Sequence, residues 1–210
     1  MRVPDEPAPL RPAPRAAAGF TLLELLTVVA VLGVVLTLGV PALLDATAHL
    51  RVNLAASEAA TILQRARMLA VRSNTHVAVR FAPTPAGPVT WGLYADGDGD
   101  GVRWREVQRG TDPTLQAPLP LRRTGASVHL GFPPGPPPRD PGAPDHRLHR
   151  LDDPIRLGHS DMASFGPMGG SSSGSLYFTD GKRSLAVVRL FGHTGKIEVQ
   201  DYDPETQTWK

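Results

Sequence analysis

The stretch from Phe20 to Leu44, FTLLELLTVVAVLGVVLTLGVPALL, most constrains what this chain can become. It holds 25 residues and one charge, Glu24. As a helix it spans about 37 Å at roughly 1.5 Å per residue, enough to cross a bilayer core of about 30 Å. Residues 20–44 are therefore predicted to form a single transmembrane stem. About 165 residues follow it, enough for one domain with its own core.

Ahead of the stem lie residues 1–18, MRVPDEPAPLRPAPRAAA. Five prolines keep this leader from being helical. Arg2, Arg11 and Arg15 predict that the N-terminus stays cytoplasmic, with the C-terminal part on the far side of the membrane. A secretory signal has a shorter apolar region and a small-residue cleavage site behind it. Here the small residue, Gly19, stands in front. A cut there removes residues 1–19 and leaves the stem on the mature protein. The plain alternative is an uncleaved signal anchor.

Gly19-Phe20-Thr21-Leu22-Leu23-Glu24 resembles the cleavage and methylation motif of type IV pilins and type II secretion pseudopilins. The resemblance implies that a prepilin peptidase cuts between Gly19 and Phe20 and methylates Phe20. A carboxylate near a bilayer interior costs a few kcal/mol, so Glu24 is read as functional. The resemblance supplies its partner: the freed α-amino group of Phe20 on a neighbouring subunit, a pair that would set register as stems pack into a filament. The alternative is that Glu24 only reaches back to the cytoplasmic boundary. Gly33, Gly39 and Pro41 weaken the second half of the stem. Pro41 removes a backbone donor and crowds the carbonyl of Thr37, so either a kink or partial melting is expected.

Beyond Asp45 the pattern turns amphipathic. Ala55, Ala59, Ile62, Ala66 and Leu69 fall on one helical face, and Arg51, Glu58, Arg65 and Arg72 on another. A helix over residues 45–74 is predicted, ending at Ser73 or Asn74 and packing its apolar face on a sheet. Arg65, Arg67 and Arg72 are read as a solvated face.

From Thr75 the period becomes two. Strands are predicted at His76–Phe81, Thr90–Tyr94, Val102–Val107, Ser127–Phe132, Ser175–Thr179, Ser184–Phe191 and Lys196–Tyr202, with Asp180-Gly181 as a hairpin turn. The chain carries 22 prolines and 21 glycines, and Pro133–Pro144 concentrates part of that excess. This run is expected to be an exposed loop that cannot pair in a sheet. The fold class is α+β: a long N-terminal helix packed on an antiparallel β head over residues 75–210.

The helix, the VAVRF strand and the run Trp91-Gly92-Leu93-Tyr94-Ala95-Asp96-Gly97-Asp98-Gly99-Asp100-Gly101 resemble the GspH/FimT group of minor pseudopilins. So do Phe165-Gly166-Pro167-Met168-Gly169 and Gly195-Lys196-Ile197, although the group often carries arginine at the position of Lys196. The resemblance implies a structural subunit, not an enzyme. Its partners would be other pilins or pseudopilins, prepilin peptidase, an inner-membrane assembly platform and membrane lipid. The alternative within the group is a minor pilin that binds DNA for natural transformation.

Other chemistry is weakly signalled. There are no cysteines, which excludes disulfides, thiolate metal sites and a cysteine nucleophile. A formal net charge of +2 does not by itself argue for nucleic acid. Asp96, Asp98 and Asp100 alternate with glycines as at the start of a calcium loop, but the twelfth position is Val107 and Glu106 is one residue off. An acidic turn is the preferred reading and calcium the alternative, with no other cofactor expected. Gly170-Ser171-Ser172-Ser173-Gly174 matches a nucleophile elbow literally, yet a strand is predicted after it where an elbow needs a helix. His159-Ser160-Asp161 is read as a polar turn, and His146 with His149 as a poor metal pair. Lys182, Arg183, Arg189, His193 and Lys196 are basic residues near the C-terminus. Of these, Arg189 and Lys196 are the candidates for DNA contact. Glu198, Asp201, Asp203 and Glu205 dilute that signal.

Overall fold

The computed structural model describes residues 19–84, 87–125, 127–158 and 160–210. The leader 1–18 and His159 lie outside the described residues.

One helix, α1, runs Leu22–Ser73. Thr21 begins it: its hydroxyl accepts the Glu24 N–H at 3.2 Å, a side-chain N-cap with Glu24 at the third helical position. Pro41 lies inside the helix without ending it, and the Thr37 hydroxyl donates to the Gly33 carbonyl at 2.6 Å one turn earlier. Every residue from Gly19 to Ala46 is exposed. The chain divides into two compact units, 1–43 and 44–210.

In the second unit α1 carries a narrow stripe of small residues. Ala55, Ala56, Ala59 and Ala66 are fully buried, together with Val52 and Leu63. Alanine lets a helix axis approach a sheet closely, and a tight core loses little side-chain entropy there. The helix stops at Ser73, and Asn74 adopts φ +52°, the left-handed conformation asparagine tolerates at a helix end.

The head contains two main antiparallel sheets. The first uses β1 (Val77–Ala82), β2 (Thr90–Ala95), β3 (Thr114–Pro120) and β8 (Met162–Phe165) in the order β3-β2-β1-β8. Between β2 and β3 lies a short helix, α2 (Trp104–Arg109). The second sheet is built on β9 (Gly174–Thr179), β10 (Leu185–Phe191) and β11 (Lys196–Asp203). It is extended by β4 (His129–Leu130), β7 (Ile155–Arg156) and β12 (Thr208–Trp209). A separate ribbon pairs β5 (Arg139–Asp140) with β6 (Ala143–Arg147).

The inner faces of both sheets and residues 52–70 of α1 share one core, with Val77, Val79 and Phe81 from β1 and Phe178, Val188 and Leu190 from the second sheet. Each outer face is also covered. Tyr177, Leu185 and Val187 pack with Leu148, Tyr202 and Trp209, and Ala78, Tyr94 and Met162 pack with Val102, Trp104 and Val107. Covering on both faces explains why Leu185-Ala186-Val187-Val188 is a continuous buried run and not an alternating one.

Four expectations are corrected. Val102–Val107 is not a strand: Trp104–Arg109 is helical, ended by Gly110 at φ +83°. Trp104 and Val107, three apart, fall on one helical face against Tyr94 and Met162, which a two-residue alternation does not reveal. Pro133–Pro144 is not an unpaired loop. Arg139–Asp140 and Ala143–Arg147 form the ribbon, and Pro138 and Pro141 are buried. The strand expected at Ser127–Phe132 shrinks to His129–Leu130. The β9–β10 turn is longer than Asp180-Gly181: Thr179 pairs with Leu185, leaving residues 180–184 in the turn. The Asp180 carboxylate accepts the N–H groups of Lys182, Arg183 and Ser184 at 2.9, 3.0 and 2.9 Å. Burial raises the Asp180 pKa, but these three donors outweigh it and hold the carboxyl below its ordinary value.

Candidate functional site

Glu24 sits in the first turn of α1, where an acid also complements the positive end of the helix dipole. Sequence reasoning missed this second role, although Thr21-Leu22-Leu23-Glu24 has the spacing of a capping box. Phe20 is exposed beside it. The motif therefore presents a small residue, an exposed aromatic and a carboxylate within one turn of the helix start.

The surface arginines of α1 are not alike. Arg67 donates from Nε to the Gly169 carbonyl and from Nη2 to the Thr194 carbonyl, each at 2.9 Å. Its assignment to a solvated face is overturned: one guanidinium fork joins the helix to the Gly166–Gly169 and Gly192–Gly195 turns. Gly195, at φ +59°, lies so close to the Gly169 carbonyl and Arg67 that any side chain would clash. The family-like runs Phe165–Gly169 and Gly195–Ile197 thus meet on α1. Glu58 plays a parallel part, accepting the N–H groups of Arg122 and Arg123 at 3.0 Å each.

The acidic turn organises itself. Asp96 is buried, and its carboxylate accepts N–H groups from Asp98, Gly99 and Gly101 at 3.2, 2.7 and 2.9 Å. His76 Nδ1 is 3.3 Å away. Burial pushes the Asp96 pKa up, but the donors prevail and hold it below the ordinary value. Asp112, also buried, accepts from Gly97 and Arg103. Asp98 and Asp100 are exposed, and oxygens of Asp98, Asp100 and Glu106 come within 4.8 Å of one another. The Arg103 guanidinium pairs with both Asp100 and Glu106. Asp112 had no signal in the sequence beyond its charge.

The two candidate DNA contacts share one face of the second sheet. Arg189 pairs with Glu198 in strand register, donates to the Pro141 carbonyl at 2.7 Å and stacks over Phe191. Lys196 lies 3.3 Å from Glu198. Arg183 is paired with Glu205 at 2.8 Å. The structure thus brings Arg189 and Lys196 together and surrounds them with internal partners. His146 and His149 are exposed on and after β6. Ser172 and Ser173 accept the backbone N–H groups of Ser164 and Gly192, and β9 follows them where an elbow needs a helix.

A helix that starts at a Gly-Phe-Thr-Leu-Leu-Glu motif, runs exposed and apolar, and then forms the spine of an antiparallel head defines a pilin-like α+β protein. The helix is long and apolar enough to cross a membrane. Residues 14–40 match the prokaryotic N-terminal methylation motif. Residues 55–191 match type II transport protein GspH, and the chain belongs to that family. No curated protein and no solved structure gives a significant match. The chain is thus a GspH/FimT-like pseudopilin, a member of a structural family.

Proposed function

We propose that this chain is a minor pseudopilin that acts by assembly into a type II secretion pseudopilus or the related type IV pilus. The observation that carries the reading is the methylation motif at the start of a helix that is also the spine of a GspH-type head. In this reading prepilin peptidase cuts between Gly19 and Phe20 and methylates Phe20. The stem holds the subunit in the cytoplasmic membrane, with its N-terminus inside and its head outside. Glu24 then takes the Phe20 amine of a neighbouring subunit as its partner, and that desolvated pair sets the register of the stems.

Mass spectrometry of the mature protein tests the processing step. It should begin at N-methylated Phe20, and any other start overturns the reading. Disulfide or photo-cross-linking to other pseudopilins in membranes tests assembly. DNA capture is not favoured, because Arg189 and Lys196 already face Glu198, Pro141 and Phe191.

A further inference from the structure

A cleft of about 670 Å³ opens on the outer face of the first sheet, opposite the face that packs on α1. Arg80 of β1 and Arg103, Arg105 and Arg109 of the α2 segment line it, facing Ser160 and Asp161. Four guanidinium groups thus meet two carboxylates, those of Glu106 and Asp161.

The ion pairs in this region belong to Arg103, which is shared between Asp100 and Glu106. Arg105 and Arg109 are exposed, four apart on one side of α2, and make no ion pair among the described residues. The Arg80 guanidinium carbon lies over Trp104, 4.1 Å from the ring centre, and its Nε is buried with no hydrogen-bond partner among the described residues. Leaving a charged donor buried and unmade costs more than an average hydrogen bond gains. The Trp104 ring, edge-on to Tyr94, holds the guanidinium in place. Arg80 is therefore a partly buried donor lining the cleft, and Arg105 and Arg109 are exposed donors beside it.

We infer that the Arg80–Arg105–Arg109 cleft is a docking site for an acidic peptide segment of a partner protein. Planar guanidinium forks match carboxylates two bonds at a time, and a preorganised, partly buried arginine is the kind of group that anchors such a contact. A nucleic-acid backbone fits less well. It favours an extended row of cations, whereas Glu106 and Asp161 share this concavity. Trp104 is packed into the cluster of Ala78, Tyr94 and Met162 and serves as a wall, not as a platform for a base.

The test uses the full chain in nonionic detergent and a fluorescently labelled polyglutamate peptide, with anisotropy as the readout at low salt. Binding should weaken as salt rises. The double variant Arg105→Glu and Arg109→Glu should lower affinity by about tenfold or more with an unchanged melting temperature, since about 1.4 kcal/mol is tenfold and a charge-assisted bond contributes that order. Arg80→Gln should also lose affinity, and Arg183→Glu, outside the cleft, should not. No binding at low salt, affinity unchanged in the double variant, or tighter binding of a short single-stranded DNA would each overturn the proposal. None of these outcomes bears on cleavage at Gly19 or on filament assembly, so the two readings fail separately.

Discussion

Arg67 Nε donates to the Gly169 carbonyl at 2.9 Å across 102 residues of sequence. The same guanidinium reaches Thr194, so two loops of the head hang on one side chain of α1. With Glu58, which accepts the N–H groups of Arg122 and Arg123, Arg67 ties loops of the head to a helix already packed in the core.

Arg67→Ala should therefore destabilise the head by about 1.5–3 kcal/mol, the range for hydrogen bonds to a charged group. Arg67→Lys should recover little, because an ammonium does not reproduce the fork that spans two carbonyls. Urea denaturation with an unchanged slope would check both, and a wild-type midpoint for Arg67→Ala would refute the contact's importance.

Glu24→Gln keeps the helix start and the Thr21 cap but removes the charge. Cleavage after Gly19 should continue, and cross-linking into a filament should fall by about tenfold or more, as expected when a desolvated ion pair loses one partner. Thr21→Ala, in contrast, removes only a cap of about 1 kcal/mol and should leave assembly largely intact. Equal loss in the two variants would show that the helix start, not the charge, is what assembly needs.

Asp96→Ala should cost about 2–4 kcal/mol, because it strands three backbone N–H groups around a buried position. The pKa of Asp96 is depressed in the folded state. Its contribution is thus complete above the unfolded carboxyl value and is lost as pH falls through the folded one. Asp180 has the same sign. Melting curves between neutral and strongly acidic pH should show a smaller acid loss in Asp96→Asn than in the wild type. Calcium at about 10 mM, above the dissociation constants of extracellular calcium modules, should leave the melting temperature unchanged. The Asp96 oxygens are already occupied by backbone donors, and Arg103 sits on Asp100 and Glu106.

The proline-rich ribbon is held from below. Arg189 donates to the Pro141 carbonyl at 2.7 Å, and Trp209 Nε1 donates to the Arg139 carbonyl at 2.8 Å. Arg189→Ala should loosen the ribbon at a cost of about 1.5–3 kcal/mol and speed limited proteolysis within residues 133–147. An unchanged cleavage pattern would mean that the ribbon holds itself.

Much of this was legible because the signals are local. The stem is apolar by composition, the Gly19–Glu24 motif is contiguous, and the face of Ala55, Ala59, Ile62 and Ala66 follows from helical periodicity alone. The central strands β1, β2, β9 and β10 were readable because each carries a run of buried residues, and β11 because Ile197 and Val199 alternate against the core. The edge strand β3 was not: it carries Pro118 and Pro120, is mostly exposed, and exists because β2 offers it a partner. Short pieces such as β5, β7 and β12 likewise form only where a neighbour waits.

The apolar stem, the Gly19–Glu24 motif, the helical spine and the antiparallel class of the head follow from spacing along the chain. The tertiary structure decided that Trp104–Arg109 is helical, that the proline-rich run is a paired and partly buried ribbon, and which charges are occupied. Arg67, Arg80 and Arg105 are the same residue type in three different elements. One clamps two loops, one lies partly buried over a tryptophan and one is exposed beside a cleft. A guanidinium's role is set by the acceptors and rings within about 4–6 Å of it. For these arginines the neighbours come from segments brought together only by the fold.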